Sequence, residues 1–485
     1  MLKISLKEII EATGGRIIGP DGAAGKACGD AENDKAYRDT GTGKASGTCG
    51  DIVITGISTD SRKIEAGDLF IPLIGENFDG HDYIAGAFEK GATVALSQKP
   101  ILDFPGKVVV TVDNTLKALQ DLAALYRSRF SIPFTGITGS VGKTSTKEMV
   151  ACALGTRYNV LKNEGNLNNE IGVPLTVFRL DESHEAAVVE MGMSGFGEIN
   201  ALTAIVRPKV GIITNIGISH IEKLGSRQNI LKAKLEILEG LQPDGLLILN
   251  GDDPLLSGVK GLLKVRTVSY GMNEGVDYQA VNVCSRGING IDFDIRIRTG
   301  EYKVHVPAPG VHNVYNALAA IAAGLELSVP MEDIIGGIAQ FKAGKMRMDI
   351  ICGNGLTVIN DAYNASPQSV KAALEVLGEM DSTRRIAVLG DMLELGEWSE
   401  QAHTQTGADA AAIRLDYLVT VGKNAAHIAE GATAAGFPAD HTVSFSSNSD
   451  ALEFLSGMLK PGDTVLVKGS RGMKMEEIVQ ELVTE

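Results

Sequence analysis

The sequence predicts a three-domain α/β protein. It has a small α/β N-terminal domain, a central domain with a mostly parallel, doubly wound sheet, and a C-terminal Rossmann-like domain. Three observations support this fold. At roughly 150 residues per domain, 485 residues suggest about three domains. Short apolar strands alternate with helical runs from about residue 133 onward. A glycine-rich segment also follows a strand and precedes a helix near residue 140, an arrangement typical of nucleotide-binding α/β sheets.

Composition excludes several classes of protein. The chain is 44% hydrophobic and 22% charged, as in ordinary globular proteins, and its net charge of −15 excludes a basic, tail-like nucleic-acid binder. No segment reaches the ~18 consecutive apolar residues of a membrane span, and the N-terminus carries charges where a signal peptide is apolar. We therefore expect a cytoplasmic protein. The five cysteines are scattered, which argues against structural zinc or a disulfide framework.

The first domain is predicted to span residues 1–113. Its β-rich runs at residues 68–74 and 108–112 are bounded by Gly and Asp turn signals. Residues 22–50 are rich in Gly, Ala, Asp, Lys and Thr and poor in large apolar side chains, so they cannot bury enough surface to order themselves. We expect a mobile surface insertion there.

The central domain is predicted to span residues 114–342. Its first helix covers residues 114–126, and a strand at 133–139 leads through the glycine loop into a helix at 144–154. Further strands are predicted at residues 187–190, 210–214 and 246–249, separated by helical runs. One of these runs, at 229–238, carries Lys234.

The third domain is predicted to span residues 343–485. Short apolar strands at 357–360, 385–389, 417–421 and 463–468 alternate with helical runs. This repeated strand–helix order is the basis for the Rossmann-like assignment.

The segment Gly136-Ile-Thr-Gly-Ser-Val-Gly-Lys-Thr-Ser145 is the sharpest local signal. A glycine loop at a helix N-terminus binds phosphate oxygens through backbone N–H groups, with Lys143 reaching the β- and γ-phosphates and Thr144 a Mg²⁺ ion. The general phosphate-loop pattern places Gly where this chain has Ile137. The alternative is a glycine turn before an ordinary helix.

Three further residues are candidates for the site, and their positions in the sequence are compatible with a functional role or with an ordinary structural one. Glu190 and His220 lie at or just after strand ends, where open α/β sheets bind ligands. Glu190 could hold a second Mg²⁺ or be a solvated loop acid, and His220 could be a loop or capping residue. Lys234, on a helical run, would ordinarily be a surface lysine.

These residues, taken together with longer motifs, resemble the Mur ligase family of peptidoglycan synthesis. The resemblance covers essentially the whole chain except about residues 22–50, and its phosphate loop is the family's own variant of the general pattern. Small departures occur at Asn163, where the family usually has Thr, and at Ser366, where it usually has Asn. The motifs lie at residues 58–62, 75–81, 138–144, 164–174, 189–194, 215–220, 233–237, 309–316, 345–349, 361–367, 389–396 and 467–476.

The resemblance implies roles for individual residues. The implied catalytic residues are Lys143, Glu190, His220 and Lys234. The implied metal ligands are Thr144, Glu190, His220 and carbamylated Lys234. The implied substrate contacts are Ser61, Arg62, Asn166, Asn168 and Asn169. The implied ATP contacts are Gly139, Ser140, Val141, Gly142, Lys143, Thr144, Ser145, Asn313, Asn316, Arg347 and Asp361, and for Asn313 and Asn316 the alternative is packing at a helix start.

The resemblance also implies a reaction. Members of this family make amide bonds from ATP through an acyl phosphate, and the branch that joins D-alanyl-D-alanine to UDP-N-acetylmuramoyl-tripeptide fits these motifs best. Residues 1–113 would then bind the UDP substrate, and residues 114–342 would bind ATP. The implied cofactors are ATP, two Mg²⁺ ions and a CO₂-derived carbamate on Lys234, which turns a cation into an oxygen ligand. We expect a monomer with no nucleic-acid partner and no membrane insertion.

Other functions are compatible with parts of the sequence. A sister Mur ligase or a folate polyglutamylating-type ligase would use another acceptor, but residues 59–62 and the third-domain motifs argue against both. A non-catalytic nucleotide-binding regulatory protein would not need Lys143, Glu190, His220 and Lys234 together. A general P-loop kinase or motor would not carry a uridine-nucleotide domain.

Overall fold

A computed structural model describes residues 2–17, 52–100, 104 and 106–484. The predicted insertion at residues 22–50 lies outside this part of the chain. No helix within the described part is both long enough and apolar enough to cross a membrane.

Strands and helices alternate along most of the described chain. The strands are β1 Ile4–Ser5, β2 Arg16–Ile17, β3 Val53–Ile54, β4 Gly56–Ser58, β5 Asp68–Phe70, β6 Val94–Ser97, β7 Val108–Thr111, β8 Phe134–Thr138, β9 Val160–Lys162, β10 Ala186–Glu190, β11 Val210–Ile213, β12 Leu246–Asn250, β13 Arg266–Gly271, β14 Tyr278–Ser285, β15 Ile291–Ile297, β16 Gly300–Val306, β17 Asp349–Gly353, β18 Leu356–Asp361, β19 Arg384–Gly390, β20 Tyr417–Val421, β21 Thr442–Phe445 and β22 Asp463–Lys468. The helices are α1 Leu6–Thr13, α2 Ile84–Glu89, α3 Thr115–Ser128, α4 Lys143–Leu154, α5 Gly172–Val177, α6 Glu198–Val206, α7 Ile221–Leu224, α8 Arg227–Leu235, α9 Pro254–Lys260, α10 His312–Glu326, α11 Met331–Ile338, α12 Pro367–Glu379, α13 Ser399–Ala411, α14 Ala426–Ala434, α15 Asn448–Met458 and α16 Glu476–Val483.

Local sequence explains where several helices begin. Ser5 and Glu8 form a reciprocal capping box at α1, and the Asn114 side chain accepts a hydrogen bond from the first turn of α3. At α9 the carboxylate of Asp253 caps the helix and Pro254 occupies its first turn, where a missing N–H costs nothing. These caps satisfy N–H groups that have no carbonyl partner within the helix.

The chain forms two compact units. The first comprises Met1–Phe134, Asn159–Met191 and Asn200–Arg207. It contains a five-stranded sheet in the order β2-β7-β6-β5-β4, parallel except for β2, together with the antiparallel pair β1–β3 and the parallel pair β9–β10. Its aromatic core includes Phe70 and Phe88.

The second unit comprises Thr135–Tyr158, Gly192–Ile199 and Pro208–Glu485. In its central part the strands follow the order β16-β15-β14-β13-β12-β11-β8. The strands from β8 to β14 pair in parallel, whereas β14, β15 and β16 pair antiparallel. The phosphate loop follows β8, so a parallel sheet presents it at the carboxyl ends of its strands.

The C-terminal part of this second unit is a six-stranded sheet in the order β17-β18-β22-β19-β20-β21, parallel except for β17. Alternate residues of β19 enter different cores. Ala387 and Leu389 pack with α12, α13 and α14, while Ile386 and Val388 pack with α15 and α16. Helices therefore cover both faces of the sheet, as the Rossmann-like assignment predicts.

The predicted α/β fold is confirmed, and nearly every strand and helix named from the sequence is present within a residue or two. Among the strands that were not predicted are the antiparallel strands β14, β15 and β16. Their polar and apolar residues alternate, because one face of an antiparallel edge can meet water. The domain boundaries near residues 113 and 342 stay predictions.

Helix α4, which begins at the phosphate loop, is held by close packing against α10 and α11. At Gly337 of α11 the two backbones approach so closely that a Cβ would overlap the Cys152 carbonyl oxygen and lie 2.9 Å from Ala153 Cα. The neighbouring Gly336 is exposed, and a Cβ there would meet no atom within 4 Å.

The two adjacent glycines therefore give a matched test of this packing. We expect Gly337→Ala to destabilise the protein by about 1–3 kcal/mol through overpacking. Gly336→Ala should be neutral or stabilise it by up to about 1 kcal/mol, since Ala favours helix. Scanning calorimetry of the full chain measures both, and equal melting temperatures for the two variants would contradict the close approach.

Candidate functional site

The phosphate loop joins β8 to α4 through two glycines in left-handed conformations. Gly139 has φ +150° and Gly142, the N-cap of α4, has φ +82°. A side chain at residue 139 would overlap the Thr214 hydroxyl, so both the backbone angle and the available space require glycine. The loop thus turns directly into a helix N-terminus, where N–H groups and the helix dipole favour an anion.

Side chains from the end of β11 hold this loop. The Asn215 amide makes two hydrogen bonds to Val141, accepting from its N–H at 3.0 Å and donating to its carbonyl oxygen at 3.0 Å. The Thr214 hydroxyl donates to the same carbonyl at 2.7 Å, and Ser140 Oγ accepts from the Gly217 N–H at 2.8 Å. The loop conformation is therefore fixed by the protein itself.

Lys143 folds back over the loop. Its ammonium donates to the carbonyl oxygens of Gly139 at 2.8 Å and Ser140 at 3.3 Å. By rotation of its side chain alone, the Lys143 ammonium can leave these carbonyl oxygens and bind a phosphate, with no change in the backbone. The glycine-loop geometry and this cation fit a nucleotide phosphate.

Asn313 and Asn316 lie at the start of α10 and are buried. Asn316 donates to Asn313 Oδ1 at 3.0 Å and accepts from the Thr146 hydroxyl of α4 at 2.9 Å, while Asn313 donates to the Pro309 carbonyl at 2.8 Å. These amides tie α10 to the phosphate-loop helix. This network fixes both amides at the start of α10, and their contact with the nucleotide stays a prediction.

Lys234 lies in the last turn of α8 and is only 2% exposed. Burial lowers its pKa far below the usual lysine value, and the nearby Lys143 cation lowers it further. Among the residues that the structure describes, no carboxylate forms an ion pair with it. The surface-lysine alternative is thereby excluded, whereas Lys232 on the same helix is exposed.

His220 is the left-handed N-cap residue of α7, with φ +61°. Its Nδ1 lies 2.6 Å from Oε2 of Glu394, which belongs to the C-terminal part of the same unit. The His220 hydrogen bond lowers the pKa of the Glu394 carboxyl and keeps it ionised.

Glu190 ends β10 in the first unit and is almost completely buried. Asn163 makes hydrogen bonds to both backbone groups of Glu190, accepting from its N–H at 3.0 Å and donating to its carbonyl at 3.0 Å. The same amide also donates to the Leu167 carbonyl at 2.9 Å. Asn168 donates to the Glu190 carboxylate at 2.7 Å. This cluster fixes the direction of the carboxylate.

The remaining substrate candidates also lie in the first unit. Asn169 caps α5 by accepting from the Gly172 N–H at 2.8 Å, whereas Asn166 is exposed. Arg62 is exposed and makes two hydrogen bonds to Asp60. Lys90 donates to the Ser61 carbonyl at 3.0 Å.

Two predicted ATP contacts lie in the C-terminal part of the second unit. The Arg347 guanidinium lies 4.0 Å from the centre of the Tyr363 ring. Asp361 ion-pairs with the buried Lys468 and accepts from the Met348 N–H at 3.1 Å. Asp361 therefore anchors the segment that carries Arg347.

In the described parts of the chain, no group of three or more His, Cys, Asp and Glu side chains forms a metal site. The ligand set implied by the resemblance has only two such residues, Glu190 and His220, beside a hydroxyl and a modified lysine. A hydroxyl, a carboxylate and a carbamate supply the oxygen donors that Mg²⁺ prefers, and His220 adds one nitrogen donor, so three of the four ligands fit the ion by type. The set stays a prediction.

Three residues that organise these clusters were not predicted as site residues. Asn163 was noted only as a departure from a pattern. Asp253, which accepts from the Ile216 N–H at 2.7 Å, follows strand β12 in the segment Asn250-Gly-Asp-Asp-Pro254, where its cap signal could have been noticed. Glu394 lies in one of the motifs, but the sequence around it does not indicate that it pairs with His220.

Comparison with known proteins gives matches along the chain. Family profiles match at residues 53–127 (Mur ligase family, catalytic domain), 137–324 (Mur ligase middle domain) and 346–471 (Mur ligase, glutamate ligase domain).

One similar relative is the UDP-N-acetylmuramoyl-tripeptide--D-alanyl-D-alanine ligase of Bacillus subtilis (strain 168). It is 44% identical over 434 residues, which cover 89% of this chain and 93% of the relative. Among solved structures, MurF from Acinetobacter baumannii has a TM-score of 0.87 and 32% identity, covering 99% of both chains. MurF ligase from Thermotoga maritima in complex with ADP has a TM-score of 0.78 and 26% identity, covering 87% of this chain and 96% of that one.

The Asn163 hydrogen bonds predict a local loss of stability on substitution. Asn163→Ala leaves the buried N–H and carbonyl of Glu190 without these partners, so we expect the free energy of unfolding to fall by about 1–3 kcal/mol. Amide exchange at Glu190 should also become faster. Asn163→Thr keeps one donor and one acceptor and should be intermediate.

The matched control is Asn166→Ala, because the Asn166 side-chain amide makes no hydrogen bond within the described chain. Chemical denaturation and hydrogen exchange measure both variants. Equal exchange at Glu190 in the two alanine variants would contradict this role of Asn163.

Proposed function

The chain belongs to the Mur ligase family, and we propose on that premise that it joins D-alanyl-D-alanine to UDP-N-acetylmuramoyl-tripeptide. The reaction uses ATP and gives UDP-N-acetylmuramoyl-pentapeptide, ADP and phosphate. The protein is thus an ATP-dependent ligase that forms a C–N bond in the synthesis of peptidoglycan precursors.

One observation carries this conclusion. The 44% identity to a ligase of that name extends over 89% of the chain and 93% of the relative, so it reaches far beyond the nucleotide-binding part. A match confined to the phosphate loop would be compatible with many nucleotide-binding proteins.

The phosphate loop supplies the N–H groups and the positive charge that stabilise the first step, the transfer of a phosphoryl group from ATP. Gly139 to Ser145 bind the nucleotide phosphates, with backbone N–H groups and the Lys143 ammonium countering charge that spreads over the transferred phosphoryl group. Because Asn215 and Thr214 already hold the loop, this arrangement needs little reorganisation during the reaction.

Two steps complete the reaction. The tripeptide carboxylate attacks the γ-phosphorus of ATP, the bond between that phosphorus and the β–γ bridging oxygen breaks, and an acyl phosphate and ADP form. The neutral amine of D-alanyl-D-alanine then attacks the acyl carbon. The tetrahedral intermediate loses phosphate, and the nitrogen loses a proton, which leaves the new amide.

Mg²⁺, when bound, neutralises phosphate charge. We propose that Thr144, Glu190, His220 and carbamylated Lys234 are ligands for two ions. What supports the carbamate is the burial of Lys234, because a neutral amine reacts with CO₂ and a carbamate supplies oxygen ligands in place of a buried cation.

The other site residues keep the roles that the resemblance implies, as proposals. Ser61, Arg62, Asn166, Asn168 and Asn169 contact the UDP-linked substrate. Asn313, Asn316, Arg347 and Asp361 lie at the nucleotide, the first two positioned by the amide network of α10.

Measuring phosphate release tests the function directly. With ATP, Mg²⁺ and both substrates we expect release together with a pentapeptide product identified by mass, and neither without D-alanyl-D-alanine. Lys143→Ala should lose about 100-fold or more in kcat. The exposed Lys423→Ala is the control. Turnover with a different acceptor but not with D-alanyl-D-alanine would favour a sister ligase.

Carbon-13 NMR tests the carbamate. Protein equilibrated with ¹³C-bicarbonate should show a carbamate signal in the wild type and in Lys232→Ala, but not in Lys234→Met. The matched variants lie on one helix, and Met fills the buried space without a charge. A signal that survives in Lys234→Met would place the modification elsewhere.

A further inference from the structure

The segment Leu389–Gly396 leaves the carboxyl end of β19 and carries Glu394 at its exposed turn. Glu394 has φ +63°, a left-handed conformation that is unfavourable for a non-glycine residue. Such backbone strain persists only where the surrounding structure maintains it.

Three hydrogen bonds within the C-terminal part maintain this segment. The Asp391 carboxylate accepts from the Ala425 N–H at 2.6 Å, and the Leu393 N–H donates to Ser470 Oγ at 2.9 Å. The Met392 N–H donates to Nε2 of His403 at 2.9 Å. These three hydrogen bonds therefore hold the segment to three other parts of the chain, at His403, Ala425 and Ser470.

His403 is fully buried and its ring is oriented by a second bond. Its Nδ1 lies 2.7 Å from the Ser399 carbonyl oxygen, which can only accept, so Nδ1 carries the proton and Nε2 accepts from Met392. Burial lowers the pKa of His403, which favours this neutral form. A neutral, rigid side chain thus sets the direction of the backbone that leads to Glu394.

Glu394 meets His220 from the central part of the unit. The distance between Oε2 and Nδ1 is 2.6 Å, close enough for the carboxylate to favour a proton on that ring nitrogen. The chain around His220 also contacts the C-terminal part, since Ile218 packs against its core and Gly217 lies beside Gln368. The pair therefore belongs to a packed contact and is not an isolated surface ion pair.

We propose that Glu394 is a positioning residue for His220, holding the Nδ1–H tautomer so that the Nε2 lone pair is available as a ligand. A carboxylate bound to one ring nitrogen orients the other in many metal sites. This inference rests on the proposed function. It adds that the orientation of His220 in the central part depends on a residue from the C-terminal part.

Nitrogen-15 NMR of the histidine rings in the free, full-length protein tests this tautomer. In its neutral form, the His220 ring should show a protonated Nδ1 and an unprotonated Nε2. A His220→Gln variant assigns the signals. In Glu394→Ala the ring should shift toward the Nε2–H tautomer, while Glu394→Gln should keep the wild-type pattern because its amide oxygen still accepts.

Kinetics provide a second readout on the same variants. Glu394→Ala should raise the Mg²⁺ concentration needed for half-maximal turnover about 10-fold, with a smaller effect for Glu394→Gln. The control is Glu397→Gln, an exposed carboxylate in the following turn. An unchanged His220 tautomer and Mg²⁺ dependence in Glu394→Ala would overturn the proposal. Because the NMR measurement needs no substrate, it remains decisive even if the ligase assay fails.

Discussion

The phosphate loop depends on hydrogen bonds from residues at the end of β11. These bonds keep two glycines in left-handed conformations, and the loop thereby presents a helix N-terminus to an anion. Asn215 binds both backbone groups of Val141, and Thr214 binds its carbonyl as well. The helix that follows is fixed by α10 through Thr146 and Asn316 and by the close approach of α11. The nucleotide-binding part is thus rigid through contacts among its own elements.

The buried lysines of the second unit differ in their partners. Lys468 forms an ion pair with Asp361, and Lys147 lies 3.1 Å from Glu148, so carboxylates compensate both charges. Lys234 is as deeply buried, but the described chain offers it no carboxylate. A charged ammonium in such a place is costly, so burial lowers the pKa of Lys234 and favours the neutral amine, which is a nucleophile.

Much of this arrangement could be predicted from the sequence. The order of strand, glycine loop and helix around Lys143 is local, and the apolar runs of the parallel strands are short and distinct. The antiparallel strands β14 to β16 were missed because the predicted strands were recognised as continuous apolar runs, whereas these strands carry the other strand signal, alternation of polar and apolar residues. The contact between Glu394 and His220 joins residues that are distant in sequence. Strand patterns and composition do not indicate which carboxylate pairs with a histidine in a loop. Asn163 acts on the backbone of Glu190, which residue type alone does not reveal.

The lack of space around Gly139 limits which substitutions this protein can accept during evolution. A side chain at residue 139 would overlap the Thr214 hydroxyl, yet that hydroxyl also binds the Val141 carbonyl. Shortening Thr214 to admit a larger residue would remove one of the bonds that hold the loop, and the φ of +150° would still oppose the replacement. As long as residue 214 keeps the hydroxyl that holds the loop, residue 139 therefore has to stay glycine.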